Sequence, residues 1–289
     1  MFPPTWFLFA SLCALFYAAE GTWVKHLGGQ GYGPYFIAWA AVTFSTPLLW
    51  VGVLLDPAPT VSTAFYFPFA MSVLGNGFAL VFYLRAFAIG ELSVIFPLLA
   101  LTPVWMLLTT EAITGEFPST AALVGIGLIA GGCYGVGLSK GGPLSPFRNL
   151  WENPGSRYAL LTSVLWSFTS NFDKAAVEAS SRFFHPALHG VFLCLLLLPW
   201  AWHFNRQDFH RLRMCREGLR IVLLGLIGSG LVLSQFVAVD LAQATYVIAV
   251  KRAGMVPGVL IGWKLYGEPF GGHRFLLSLV VLAGLLFML

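Results

Sequence analysis

Long apolar stretches, broken by short polar or Gly/Pro-rich segments, dominate the hydrophobic pattern of this chain. An α-helix needs about 20 mostly apolar residues to cross a hydrocarbon core about 30 Å thick. Breaks at charges, Pro/Gly clusters and turn residues delimit ten such stretches: 4–26, 33–55, 63–87, 91–113, 119–138, 157–178, 186–204, 218–241, 244–265 and 272–289. The runs are continuous rather than alternating in short segments, so they predict helices and not a β-barrel. Most connections span a few residues, such as Gly28 to Gly31, Asp56 to Pro59 and Gly115 to Pro118. Two are longer: Ser139 to Ser156, and the arginine-rich Asn205 to Glu217. The first apolar run has no Lys or Arg before it, which a secretion signal requires, and is expected to be a permanent span. Pro47, Pro97, Pro103, Pro199 and Pro257 fall inside spans and are expected to kink them.

Composition identifies the solvent. Hydrophobic residues make up 58% and charged residues 10% of the 289 positions, with a mean hydropathy of +0.80. A globular chain is about a quarter charged. Too little polar side chain is present to cover a water-facing surface, so lipid must solvate most of it. Glycine and tryptophan, at 31 and 10 residues, suit membrane helices and their interfaces. The net charge of +4 suggests no nucleic-acid partner. Cys13, Cys133, Cys194 and Cys215 lie far apart with no metal-ligand spacing, and read as buried small hydrophobes. No nucleotide-binding loop is present, which argues against ATP-driven pumping, and no cofactor is expected.

The chain repeats itself. Tyr17 to Lys25 (YAAEGTWVK) aligns with Trp166 to Lys174 (WSFTSNFDK), an aromatic followed eight residues later by Lys. Gly75-Asn76-Gly77 aligns with Gly228-Ser229-Gly230, Gly115-Glu116 with Gly267-Glu268, and Ala130-Gly131 with Ala283-Gly284. The four anchors keep one order at offsets of 149 to 153. Each unit holds five spans, an odd number, so the second must cross the membrane upside down relative to the first. Inverted repeats are the architecture of many secondary transporters, with the substrate site near the midplane between the halves. The expected fold is therefore an all-α membrane protein, ten transmembrane helices as two inverted five-helix repeats around a central cavity. Residues 1–139 form the first repeat, 140–156 a linker and 157–289 the second.

These features, with the run Tyr83 to Pro103 (YLRAFAIGELSVIFPLLALTP) and the Gly-Glu pairs closing spans four and nine, resemble the EamA-type family of the drug/metabolite transporter superfamily. The resemblance covers nearly the whole chain. It implies a carrier of small metabolites, with exporters of amino acids among its relatives, in a bacterial inner membrane. One segment, Tyr246 to Arg252, departs from the first repeat, where Leu99 and Ala100 stand opposite Lys251 and Arg252.

Charges within spans supply the candidate chemistry. A cation at a helix centre costs about 2.5–3.5 kcal/mol on insertion scales. Lys251 and Arg252 lie about seven residues into span nine; they either snorkel to the interface or face the cavity and bind a carboxylate or phosphate. Candidate substrate-binding residues are Asn76 and Tyr83 of span three, Trp166 and Asn171 of span six, Gln235 of span eight, and Tyr246, Lys251 and Arg252 of span nine. Glu20 has no basic residue one turn away and is the candidate proton-coupling group, unless it forms a tertiary ion pair with Lys251 or Arg252. Lys174 and Glu178 have the i,i+4 spacing of a helix-end pair, Lys25 reads as an interfacial anchor, and Glu116 and Glu268 as helix-end residues. His185 and His189 share a helix face, but no third ligand accompanies them in sequence and no metal site is expected.

Loops after odd-numbered spans hold most of the Lys and Arg, which puts them in the cytoplasm and both termini outside; the family resemblance implies the reverse. The competing classes are a lipid-acting membrane enzyme and a non-transporting sensor. The enzyme would need clustered catalytic groups at one interface, and the sequence has no HExxH, DxD or His-plus-acid array.

Overall fold

The computed structural model describes residues 4–55, 60–89, 98–99, 101–137, 154–212, 215–254, 256–257, 264 and 272–287. Among them lie ten α-helices of ten or more residues and no strand. They are α1 (Thr5–Gly29), α2 (Pro34–Leu55), α3 (Tyr66–Ile89, entered through a 3-10 turn at Thr63–Phe65), α4 (Thr102–Thr114) and α5 (Thr120–Gly137), then α6 (Pro154–Glu178), α7 (Phe184–Arg211), α8 (Cys215–Leu241), α9 (Ala244–Ala253) and α10 (Gly272–Leu286). Most of the Ser139 to Ser156 linker, Pro97, Gly267-Glu268 and the Lys25 side chain fall outside the described residues.

The packing follows the duplication. Helix α2 packs on α7, α4 on α9 and α5 on α10, while α1 packs on α8 and α3 on α6. Exchanging the two sets of five leaves this pattern unchanged, as a pseudo-two-fold requires. Equivalent helices run antiparallel. Along α2 and α7, Gly33 meets Asp208, Thr43 meets Cys194 and Gly52 faces Phe183. Along α4 and α9, Thr110 meets Thr245 and Thr102 meets Arg252. In both pairs the helix of the second half points opposite to its equivalent in the first. A crossing between α3 and α6, where a Cβ on Gly75 would lie 2.5 Å from Thr169, recurs between α8 and α1, where one on Gly228 would lie 3.6 Å from Glu20.

Five helices are long and apolar enough to cross a membrane: Thr5–Gly29, Pro34–Leu55, Thr63–Ala86, Phe184–Arg211 and Glu217–Leu241. They expose Leu8, Leu15, Leu54, Leu55, Phe67, Phe78, Leu195 and Leu226, an apolar surface that suits lipid and not water. Among the described residues the other five helices do not reach that length and apolarity. Helix α6 has 25 residues but is polar along much of its length, because Ser163, Ser167, Asn171 and Asp173 are buried against neighbouring helices rather than turned to lipid. Helices α4 and α9 are only 13 and 10 residues long. Nine of the ten residues of α9 are buried, so its packing is entirely against protein.

Helices α5 and α10 approach closely through glycine. A Cβ on Gly284 would stand 2.8 Å from the Gly125 carbonyl and 3.0 Å from the Ile129 amide, both backbone atoms that cannot swing aside. Gly284→Ala should therefore cost about 1–3 kcal/mol, read as a lower melting temperature of the purified protein in detergent.

One expectation needs correction. The stretch Asn205 to Glu217 is not a long loop: α7 continues to Arg211 across a kink at Asn205, and α8 begins at Cys215. Phe209 drives this continuation by packing its ring against Phe36, Trp39 and Trp202 at 4.8–5.2 Å. Asn205 and Asp208 turn their side chains to the first turn of α2, accepting from the Phe36 and Gly33 amides. Arg211 lies 3.7 Å over the Tyr32 ring, and the Tyr32 hydroxyl donates to Glu217 at 2.7 Å. Burial and that bond push the Tyr32 phenol up to about 12, so it remains a donor at physiological pH. Pro103 sits in the first turn of α4, where its missing N–H leaves nothing unsatisfied; Pro47 and Pro199 are inside α2 and α7 as expected.

Candidate functional site

The residues that interrupt the apolar pattern of α9 meet at the centre of the bundle. Arg252 is only 3% exposed. Its Nη1 donates to the Tyr17 hydroxyl of α1 at 3.1 Å and its Nη2 to Thr102 Oγ1 of α4 at 3.2 Å. Thr102 spends its own proton on the Leu99 carbonyl, which leaves its oxygen free to accept from the guanidinium. The guanidinium carbon also lies 4.9 Å from the Trp166 ring of α6 and 5.6 Å from that of Tyr17. Cation–π contacts of this kind are worth about 0.5–2 kcal/mol. They offset only part of the cost of holding a charge away from water. Nε of Arg252 has no hydrogen-bond partner, and among the described residues no carboxylate forms an ion pair with this side chain.

Lys251 approaches from the other side of α9. Its Nζ donates to Gln235 Oε1 of α8 at 2.6 Å and lies 5.5 Å from the Tyr17 ring. The Glu20 carboxyl, on α1 one turn beyond Tyr17, interacts electrostatically with Lys251. Tyr83 of α3 closes the group, its ring 5.3 Å from Trp166. Adjacent residues on a helix diverge by about 100°, yet both cations turn inward because Tyr17 stands between them. Both side chains end on protein groups. Contributions come from α1, α3, α4, α6, α8 and α9, which are three pairs of equivalent helices.

The other three candidates sit elsewhere. Asn171 is buried and braced: it accepts from Thr110 at 2.9 Å and donates to Thr109 at 3.0 Å and to the Ser167 carbonyl at 2.8 Å. Tyr246 accepts from the Ser119 amide at 3.0 Å and packs beside Trp6 in the apolar cluster of α1, α5, α8 and α9. Asn76 belongs to a second polar group between α3, α6 and α7, with Ser72, Thr169 and His189. Tyr17 and Thr102 are partners of Arg252 that the sequence pattern does not mark. A hydroxyl in an apolar run gives no signal until its neighbour is known.

Lys174 pairs with Glu178 at 2.9 Å, as their spacing suggests, and also donates to the Val239 carbonyl of α8. A groove of about 610 Å³ runs along α1 and α8, lined mainly by Phe9, Leu12, Phe183, Leu233 and Val237. None of the central charged residues lines it. The groove is an apolar feature apart from the polar centre.

No sequence among the curated proteins matches this chain. A solved structure titled "Crystal structure of protein" is similar to it over 98% of this chain and 96% of its own, at 13% identity and a TM-score of 0.76. That likeness concerns the fold alone. The sequence itself carries the assignment: the model of the EamA-like transporter family matches residues 4–138 and again residues 153–289, one match over each half of the antiparallel pairing, and the chain belongs to that family.

Proposed function

We propose that the chain carries small zwitterionic metabolites such as amino acids across a bacterial inner membrane by alternating access, as an exporter. In this reading residues 1–139 and 157–289 are inverted repeats of five crossings each, joined by 140–156. Family membership supports a small-molecule transporter in lipid, a class distinct from enzymes. The observation that carries the substrate class is Arg252, a buried cation held by Tyr17 and Thr102 with its Nε left without a partner. An anionic group bound there would complete its hydrogen bonds and balance its charge. Lys251 adds a second positive charge and Glu20 a negative one on the facing helix, so a molecule with a carboxylate and an ammonium matches the arrangement. Tyr17, Tyr83 and Trp166 supply flat apolar walls.

Glu20 is the proton-coupling group at this site, since the ammonium of the substrate competes with a proton for its carboxylate. Alternating access follows from the symmetry. If the two halves exchange conformations, the helices around Arg252 open to one side and then to the other.

Counterflow in proteoliposomes tests the reading. Liposomes preloaded with an unlabelled mixture of L-amino acids should take up labelled amino acid at least tenfold faster with the protein than without it. Glu20→Gln should keep counterflow at equal pH but lose at least fivefold of the accumulation driven by a pH gradient. No counterflow with amino acids, together with flux of cationic or uncharged solutes, would overturn the substrate class.

A further inference from the structure

The second polar group, between α3, α6 and α7, is built from residues that the proposed substrate site does not use. Asp173 of α6 is 6% exposed and His185 of α7 is fully buried. His185 Nε2 stands 3.0 Å from Asp173 Oδ1, and the same oxygen accepts from the Ser72 hydroxyl of α3. Phe65, Phe69 and Phe236 surround the His185 ring at 5.1–6.2 Å. A carboxylate in such surroundings requires a partner that can carry positive charge. Lys174, the next residue, does not provide it, because it is turned to the Val239 carbonyl and Glu178.

The hydrogen bonds fix where protons sit. Thr169 donates to Asn76 Oδ1 at 3.2 Å, which turns the Asn76 amide toward Ser72 Oγ and His189 Nε2, each at 3.3 Å. His189 Nε2 then accepts, which places the proton of its neutral ring on Nδ1. His185 is placed differently. Its Nε2 faces a carboxylate and therefore donates, while its Nδ1 is buried without a partner. In the neutral ring that Nδ1 is a bare acceptor. Taking one proton there converts His185 to an imidazolium paired with Asp173, and releasing it leaves the carboxylate held by hydrogen bonds alone.

We propose that His185 and Asp173 form a proton-binding site, with His189, Asn76 and Ser72 positioning it, separate from Glu20 and from the substrate cluster. The charged and titratable groups that face it are few. From α6 there are Asp173 and the diverted Lys174; from α7, His189, whose ring lies 5.6 Å from that of His185. From α9, Lys251 acts on Asp173 through space. The surrounding side chains of α3, α8 and the 3-10 turn are uncharged: Ser72, Asn76, Phe236 and Phe65. The Tyr17–Trp166 register puts Val24 opposite Asp173, and at every offset of the duplication from 149 to 153 the positions opposite His185 and His189 fall within residues 32–40, which hold no histidine. The site is therefore present in one repeat only, and its protonation biases one half of a symmetric framework, at the junction where α3 of the first half meets α6 and α7 of the second.

The proton-binding part of this proposal stands apart from the carrier reading, and two measurements keep them separate. The first is 15N-histidine NMR on the purified protein in nanodiscs from about pH 4 to about pH 9, with His185→Gln and His189→Gln used to assign the two rings. His185 should convert between neutral and protonated forms within that range while His189 stays neutral, and Asp173→Asn should leave His185 neutral over most of it. A His185 signal that does not change with pH, or that titrates in Asp173→Asn as in the wild type, would overturn the proposal. The second is amino-acid counterflow with equal pH on both sides. Its rate should change at least fivefold as His185 titrates, and His185→Gln should remove that change while Glu20→Gln preserves it. Superimposable pH profiles for wild type and His185→Gln would also overturn it. Counterflow absent from the wild type at every pH would sink the carrier reading instead, and the NMR titration would still decide the proton site.

Discussion

Replacing Arg252 with glutamine is expected to lower amino-acid counterflow at least a hundredfold while leaving the fold in place. The two effects separate because of how the side chain is held. Its bonds to Tyr17 and Thr102 and its position over Trp166 fix the guanidinium, but no carboxylate among the described residues compensates its charge. Loss of the arginine removes two hydrogen bonds and two cation–π contacts, and with them the cost of keeping an unpaired charge buried. These terms have opposite signs, so net stability should change by about 1 kcal/mol or less. The bound state has no such compensation. A carboxylate facing a neutral amide in a dry site loses about 3 kcal/mol or more, which is at least a hundredfold in affinity. Arg252→Lys discriminates charge from shape. It keeps the cation but cannot span Tyr17 and Thr102 together, so flux should recover only in part. Counterflow near the wild-type rate in Arg252→Gln, at an unchanged melting temperature, would remove this residue from the site.

The second large effect is expected at Gly254, one turn of backbone from the two cations. A Cβ there would lie 2.2 Å from the Ala14 carbonyl oxygen and 2.9 Å from its carbon. Both are backbone atoms of α1, so no side chain can swing clear. The conformation of Gly254 is ordinary right-handed helix, and the obstacle is purely steric. Gly254→Ala must push α9 away from α1, and Arg252 would then leave Tyr17. Overpacking of this severity costs about 3 kcal/mol, to be seen as a sharp fall in melting temperature and folded yield. Protein that does fold should also transport poorly, because the displaced helix carries Lys251 and Arg252. Unaltered stability in Gly254→Ala would mean that α1 and α9 are not in close contact.

Much of this molecule can be read along the chain because hydrophobic burial is a local property. Apart from α4, whose run begins outside the described residues, the helices start within a few residues of where the apolar runs do, α9 at Ala244 and α10 at Gly272 among them. The duplication anchors foretell equivalent helices, and the pairing of α2 with α7, α4 with α9 and α5 with α10 agrees with them. Lys251 and Arg252 were conspicuous as charges where the first repeat has Leu99 and Ala100. Glu20, Tyr83, Trp166 and Gln235 join them in the structure. Asn171 and Tyr246 carried the same signal, a polar group in an apolar helix, and yet brace α4 and the α5 approach. A one-dimensional pattern marks such a residue as buried and polar but does not say which neighbour it meets.

The sequence by itself determined the solvent, the helices, the five-plus-five repetition and the family. Each follows from composition and periodicity, which need no knowledge of contacts. Only the tertiary structure decided the partners: that Tyr17 and Thr102 hold Arg252, that Gln235 receives Lys251, and that Asp173 meets His185 instead of its neighbour Lys174. Hydrogen bonds and ion pairs act over about 3 Å, between groups here separated by as many as 235 positions. Which of them meet is set by how helices rotate and approach one another, and that is a property of the packed bundle.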